Sequence, residues 1–441
     1  MQLFRLLPLS LALGAALAAP VQAQSLLELV ESARGYDSAW QSAQAQLEAA
    51  ARRADQARAG LLPSAGLSAG LSRANTDITR PAVERSSTTQ SLAVSASQPL
   101  YRPANRIALE QSQRGIDVAQ AQLDAAAQDL LVRVSQAYFD VLAAQDTLTF
   151  VQAQKSAVSE QLASAKRNFE VGTTTVTDSR EAQARFDLVS AQEIAAENDL
   201  RVKMLALDQL VGATGAQPRP LAQPVQLPPV QPASVAHWVL TAQDQHPGVR
   251  QAALALDVAR LETRKAETGH RPTIDLQASY AIQRNPNGTV TTPNVNTRTN
   301  NASVGLALNL PLFAGYAVQN RVKETLALEQ KAEADLETVR RTVAQATRSA
   351  YFGVQSGIGQ AKALEAAEQS SQSALDANKL GYQVGVRINI DVLNAQSQLF
   401  QTKRDLAVAR YNVLLGQLKL RQAAGTLTLD DVTALNALLA K

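Results

Sequence analysis

The sequence predicts a mainly α-helical fold built as a tandem repeat, in which each repeat combines long helices with a pair of short β-strands. Three observations lead to this prediction. A turn motif occurs twice, as "NFEVGTTTVTDSREAQ" at 168–183 and as "GYQVGVRINIDVLNAQ" at 381–396. Four segments of about ten residues alternate apolar with small or polar side chains, which is the period of a β-strand. Long Ala- and Gln-rich stretches place apolar residues at helical spacing.

The first 23 residues have the pattern of an export signal. Arg5 is their one charged residue, and an apolar run follows at 6–17. Small residues at Val21 and Ala23 suit signal peptidase, so we expect cleavage after Ala23. The run is too short to anchor the chain in a bilayer, and an uncleaved buried helix is the alternative. The chain has no Cys, which excludes disulfides and a lipidated N-terminal Cys.

Charge and composition exclude several classes of protein. The chain has 42 basic and 39 acidic residues, a formal net charge of +3, and these charges are interspersed. A nucleic-acid partner is therefore not expected, because nothing resembles a basic stripe. Beyond the signal, no stretch offers about 20 uninterrupted apolar residues, so membrane-spanning helices are not expected either.

The chain divides at a Pro-rich segment. We predict repeat 1 at 24–212, an irregular linker at 213–234 that contains six of the 17 prolines, and repeat 2 at 235–441. The predicted elements of repeat 1 are a helix at 26–59, strands at 61–72 and 91–100, and helices at 104–170 and 177–211. The predicted elements of repeat 2 are a helix at 235–268 with a helix start at His246-Pro247, strands at 272–282 and 302–312, and helices at 316–381 and 389–424.

The strands suit a membrane in both length and pattern. Between Ile274 and Ile282 the even positions are apolar, while the odd positions from Thr273 to Ala281 are polar or small. About ten residues is the length with which a tilted strand crosses a bilayer. Long hairpin loops are predicted at 73–90 and 283–301. Aromatic residues cluster near the strand ends, as in a girdle at the membrane interface: Tyr101, Tyr280, Phe313 and Tyr316.

A water-soluble, half-buried sheet is the alternative to these membrane strands. A bilayer forbids open sheet edges, and four strands are too few to close a barrel. Membrane insertion therefore requires several copies of the chain. The long helices, at 1.5 Å per residue, would each extend roughly 100 Å. Two shorter helices end to end match that length, so each repeat is predicted to contribute two adjacent rods.

The turn motif joins each long helix to the next one. Gly172 and Gly385 supply helix stops, and the Thr175–Asp178 region and Asn389 are predicted to supply N-cap oxygens. On these paired turns, on "ARYNVLLGQLKL" at 409–420, and on the strand ends "SQPLY" and "NLPLF", the chain resembles the TolC family of outer-membrane channel-tunnel proteins. The resemblance covers essentially the whole mature chain and favours the branch without an acylated Cys.

This resemblance implies a homotrimer whose chains form a 12-stranded membrane β-barrel on a 12-helix α-barrel tunnel. It implies an exit duct for multidrug efflux or type I secretion in a Gram-negative outer membrane, in contact with outer-membrane lipid and extending into the periplasm. The duct would be gated at its periplasmic end. Its expected partners are a periplasmic adaptor and an inner-membrane ABC, RND or MFS transporter.

The resemblance also assigns roles at the gate. Tyr382 and Arg387 of the second turn are expected to bond Thr177 and Asp178 of the first, within and between subunits, and so to hold the end constricted. The residues alone also permit simple packing for Tyr382, a solvated charge for Arg387 and a helix N-terminal acid for Asp178.

Asp391 is expected to form a ring of carboxylates that favours cations. The same position could instead hold an ordinary helix N-terminal acid. The family often has a second acid one turn on, where this chain has Asn394, so we expect weaker cation binding.

Nothing in the sequence indicates catalysis. There is no G-x4-G-K-[ST] phosphate loop, and the three histidines are too scattered for a metal site. We therefore expect no enzyme activity, cofactor or metal. The alternative function is a periplasmic coiled-coil adaptor or an envelope structural protein without a pore. The sequence does not identify the cargo.

Overall fold

The computed structural model describes residues 24–80, 82–289 and 292–440, and the predicted signal at 1–23 lies outside them. The helices are α1 (Leu26–Tyr36), α2 (Ser38–Ala59), α3 (Pro103–Glu170), α4 (Val176–Val211), α5 (Val235–Gln245), α6 (Pro247–Glu267), α7 (Ala317–Gln383), α8 (Asn389–Ala423) and α9 (Leu429–Asn436), and the strands are β1 (Ser64–Thr79), β2 (Ala82–Tyr101), β3 (Thr273–Asn285) and β4 (Thr297–Asn309).

The described chain forms two compact units, and neither coincides with a sequence repeat. Each unit contains segments of both repeats. The long helices α3 and α7, one in each repeat, both contribute residues to both units. The helical unit contains the residues up to Ser42, Asp124–Pro247 and those from Arg340 onward; the sheet unit contains Ala43–Leu123 and Gly248–Val339.

The first predicted helix is broken into α1 and α2 at Asp37. Its buried carboxylate accepts hydrogen bonds from the Trp40 backbone N–H at 2.8 Å and from the Arg133 guanidinium at 2.8 and 3.2 Å. The hydrogen bonds from Arg133 hold the pKa of Asp37 below its ordinary value. The helix start expected at His246-Pro247 is confirmed, since Pro247 is the first residue of α6.

The four strands form one antiparallel sheet in the order β1-β2-β3-β4. Leu67, Val94, Tyr280 and Ala302 stand directly opposite one another across it, so the apolar positions of all four strands share one face. The other face carries mainly Ser, Thr, Gly and Ala residues.

The prediction of a long hairpin loop at 73–90 is wrong, because β1 runs to Thr79 and β2 starts at Ala82. This stretch contains four Thr, a residue type that favours strands, and Arg73 donates across the hairpin to Ser86 Oγ at 2.9 Å.

The loop predicted at 283–301 is shorter than expected, because β3 extends to Asn285 and β4 starts at Thr297. The Asn285 side chain is buried in the sheet. It accepts a hydrogen bond from the Thr89 hydroxyl at 2.8 Å and donates one to the Thr297 hydroxyl at 3.3 Å.

The Pro-rich linker is irregular, and its apolar residues Ala216 and Leu221 pack into the core of the helical unit. Tyr138 of α3 is fully buried there and donates its hydroxyl to the Arg219 carbonyl at 2.9 Å. Helix α9, which the sequence analysis did not predict, joins this core. Its N-terminus is closed by a capping box between Thr428 and Asp431.

No helix within the described ranges is both long enough and apolar enough to cross a membrane.

Candidate functional site

The paired turns, 171–175 between α3 and α4 and 384–388 between α7 and α8, have the same backbone conformation. Gly172 has φ +77° and Gly385 has φ +80°, in the left-handed region that commonly ends helices. A Cβ at either position would meet nothing within 4 Å, so the backbone angle, not a lack of space, favours glycine. The backbone N–H groups of both glycines also bond carbonyls three residues back, at 2.9 and 3.1 Å.

The two turns differ in how the following helix is capped. At α4, Thr175 and Asp178 form a capping box: the Asp178 N–H donates to Thr175 Oγ1 at 3.3 Å, and Asp178 Oδ2 accepts from the Thr175 N–H at 3.1 Å. At α8 the N-cap is Ile388, which makes no side-chain capping bond. The prediction that Asn389 caps α8 is therefore wrong.

The Asn389 side chain instead joins α8 to the first turn. It is only 1% exposed, and its amide Nδ2 donates to the backbone carbonyl of Asp178 at 3.4 Å. Its Oδ1 accepts a hydrogen bond from the amide of Gln161 on α3. One buried side chain at the start of α8 is thus bonded to both helices that flank the first turn.

Tyr382 and Arg387 have other partners within the chain than the resemblance implies. The Tyr382 hydroxyl accepts a hydrogen bond from Asn168 Nδ2 at 3.3 Å, and its ring packs against a cluster that includes Val392. Arg387 Nη1 lies 3.7 Å from Asp391 Oδ2. In the part of the chain that the structure describes, neither side chain bonds Thr177 or Asp178, so such links would have to come from a neighbouring chain.

A glycine in the second repeat makes room for Arg387. A Cβ at Gly381 would lie 2.7 Å from the Cγ of Arg387, so a larger residue there would displace the arginine stem. The first repeat has Asn168 at the position equivalent to Gly381, and that Asn supplies the bond to Tyr382. The two repeats therefore differ at the residue before the aromatic, which is Asn168 in the first and Gly381 in the second, as well as at Arg387.

The positions predicted for cation binding lie on the first two turns of α8. Asp391 is half-buried and pairs with Arg387, whereas the Asn394 side-chain oxygen accepts a hydrogen bond from Arg185 Nη2 of α4 at 2.8 Å. Asn394 therefore ties α8 to α4. The sequence gives no signal for Gln161, Asn168 and Arg185, because their partners lie more than two hundred residues away in the chain.

Comparison with known proteins gives a consistent result. The model of the family described as "Outer membrane efflux protein" matches residues 29–213 and 238–426. The chain is 34% identical to "Outer membrane protein TolC" of Vibrio cholerae over 98% of both chains. It is 31% identical to "Alkaline protease secretion protein AprF" of Pseudomonas aeruginosa, with 93% of this chain and 86% of the relative covered.

Solved structures show the same fold. The outer membrane protein VceC of Vibrio cholerae matches with a TM-score of 0.76 at 20% identity, covering 91% of this chain and 96% of that one. The CmeC outer membrane channel of Campylobacter jejuni matches with a TM-score of 0.77 at 18% identity, covering 94% and 90%. The family membership that the paired turns predict is confirmed: the chain belongs to the outer membrane efflux protein family.

Proposed function

We propose that the chain forms the outer-membrane exit duct of an efflux or type I secretion machine and that the paired turns hold its inner end closed. The observation that carries this proposal is membership of the outer membrane efflux protein family across both repeats. Relatives named for protease secretion, AprF at 31% identity and PrtF of Dickeya chrysanthemi at 28%, support type I secretion beside efflux.

As the family resemblance implies, we propose that the duct works with a periplasmic adaptor and an inner-membrane transporter. We propose that the transporter is of the ABC, RND or MFS type. The alternative of an adaptor without a pore is disfavoured, because the matched family consists of outer-membrane channels.

The sheet unit supports contact with lipid. Its apolar face is open in the single chain: Val304 is 77% exposed and Leu308 is 67% exposed. An apolar patch of this kind marks an interaction surface. The opposite face, with its small and hydroxyl side chains, suits the wall of a water-filled channel.

The sheet also supports assembly. In one chain, β1 and β4 are edge strands, and unpaired backbone groups in hydrocarbon cost several kcal/mol each. Pairing β1 of one chain with β4 of the next would remove both edges. We propose three copies, as the family resemblance implies, which gives a closed barrel of 12 strands.

The gate is proposed to rest on the paired turns. Asn389, Gln161 and Asn168 link the two turns within a chain, and Tyr382 and Arg387 are placed to add bonds between chains. Bonds that involve a charged group contribute about 1.5–3 kcal/mol each, and less when water reaches them. Binding of a partner protein could supply enough free energy to open such a gate.

The experiment is expression of the full chain in a Gram-negative host, followed by membrane fractionation and planar-bilayer recording. We expect a heat-modifiable oligomer in the outer-membrane fraction and single-channel currents from the purified protein. Recovery of a detergent-free monomer, or of an outer-membrane oligomer that conducts no ions even when Tyr382 and Arg387 are replaced, would contradict the proposal.

A further inference from the structure

Two arginines face each other where the apolar face of the sheet ends. Arg284 of β3 and Arg298 of β4 are directly opposite in the strand register, and their row continues through Gln90 of β2 to Leu71 of β1. The adjacent row on the same face contains Leu92 and Ile282. The arginine pair therefore lies at the boundary between apolar and polar parts of this face.

The pair is electrostatically unfavourable within the chain. Side chains directly opposite in an antiparallel sheet have Cβ atoms about 4.5–5.5 Å apart, and like charges in such positions destabilise the sheet. Both arginines are exposed, and neither has an acidic partner among the described residues. At the other end of β3 the situation differs, because Arg102 pairs with Asp275 at 2.7 Å.

The two arginines border a groove with one apolar and one basic part. Its volume is ≈ 590 Å³. The lining residues are Gln90, Ser91, Leu92, Ile282, Arg284, Asn296 and Arg298. The apolar part is continuous with the exposed apolar face of the sheet, so the groove suits an amphiphile with an anionic head and a hydrocarbon tail.

We propose that Arg284 and Arg298 bind the phosphate of a lipid headgroup, with the lipid tail lying against Leu92 and Ile282. Guanidinium groups donate bidentate, charge-assisted hydrogen bonds to phosphate oxygens, and an anion between the two arginines relieves their mutual repulsion. The apolar part of the groove favours a lipid over free phosphate. The inference rests on the proposed function, because only a sheet that contacts a membrane meets such a headgroup.

The test measures binding of diphosphoryl lipid A to the purified full-length oligomer in detergent, by native mass spectrometry. Arg284→Gln combined with Arg298→Gln removes both charges while keeping polar side chains that donate hydrogen bonds. The matched control, Arg106→Gln with Arg271→Gln, removes two exposed charges elsewhere in the sheet unit. We expect the wild type and the control to bind equally and the double variant at least about tenfold more weakly. Single Arg298→Gln serves if the double variant is poorly folded.

Two further binding measurements identify the ligand. Lipid A stripped of its phosphates should bind wild type and variant equally weakly, and millimolar inorganic phosphate should compete poorly with diphosphoryl lipid A. Equal lipid A binding by wild type and double variant would overturn the inference. Full competition by inorganic phosphate would overturn the lipid assignment.

Flotation with neutral phosphatidylcholine vesicles tests the membrane function separately from the lipid site. A wild type that does not insert contradicts the membrane function and the lipid site together. Insertion of wild type and double variant, with equal affinity for lipid A, contradicts the lipid site alone.

Discussion

Replacing Asn389 by Ala tests whether the paired turns are energetically coupled. The substitution removes two hydrogen bonds made by a side chain that is 1% exposed. It leaves the Gln161 amide and the Asp178 carbonyl without these partners. Leaving a buried polar group unsatisfied costs about 1–3 kcal/mol. Because the bond to Asp178 is long, at 3.4 Å, we expect most of the cost at Gln161 and a total of about 2 kcal/mol per chain.

That free energy should appear in the gate as well as in stability. If the turns hold the channel closed, a change of about 1–3 kcal/mol shifts the closed-to-open equilibrium roughly 5- to 150-fold. We therefore expect a larger open fraction in planar-bilayer recordings and a lower melting temperature. Asn378→Ala is the matched control, because the exposed Asn378 amide bonds only the Ala374 carbonyl of its own helix, at 3.0 Å.

The recordings and the melting curves together decide the outcome. An Asn389→Ala protein with wild-type conductance and wild-type melting temperature would refute the reasoning. A lower melting temperature with unchanged conductance would show that Asn389 stabilises the helical unit without holding the channel closed.

Four further variants test other parts of the molecule. Asp391→Ala should reduce the cation preference in planar bilayers, and unchanged selectivity would refute the proposed carboxylate ring. Tyr382→Phe with Arg387→Ser should raise conductance; a flat result would exclude the proposed latch. Ile388→Thr should draw Asp391 into a capping box and weaken cation preference while raising the melting temperature, since a good N-cap contributes about 1 kcal/mol. Because the pKa of Asp37 is lowered in the folded state, its stabilisation is present at neutral pH and disappears as the pH falls below about 4. The melting temperatures of wild type and Asp37→Asn should therefore differ at pH 7 and converge in acid, and a difference independent of pH would contradict this assignment.

Features encoded by neighbouring residues were predictable from the sequence. The turns were located correctly because Gly172 and Gly385 act through their own backbone angles. The strand faces followed from period-two alternation, which the register preserves. The capping box at Thr175 and Asp178 also has a local signature.

Features that depend on distant partners were not predictable. The polar stretch at 73–90 is compatible with a loop or a strand, and only pairing across the hairpin decides between them. Asparagine is a common N-cap residue, but the Asn389 side chain is buried and bonds Gln161 and Asp178 instead. The sequence supplied no signal for the bond from Asn168 to Tyr382.

The two turns have the same backbone conformation, although the side chains at equivalent positions differ in their chemistry. Glycine and helix ends fix both turns, so side chains can change without altering the fold. Thr175 of the first turn occupies the position of Ile388 in the second, and Asp178 that of Asp391. Because Thr175 holds Asp178 in a capping box, one oxygen of that carboxylate is bonded to the start of its own helix. An isoleucine cannot do the same, so Asp391 remains available to pair with an arginine or to attract cations. The residue at the N-cap position thus decides whether the acid three residues on is bonded to its own helix end.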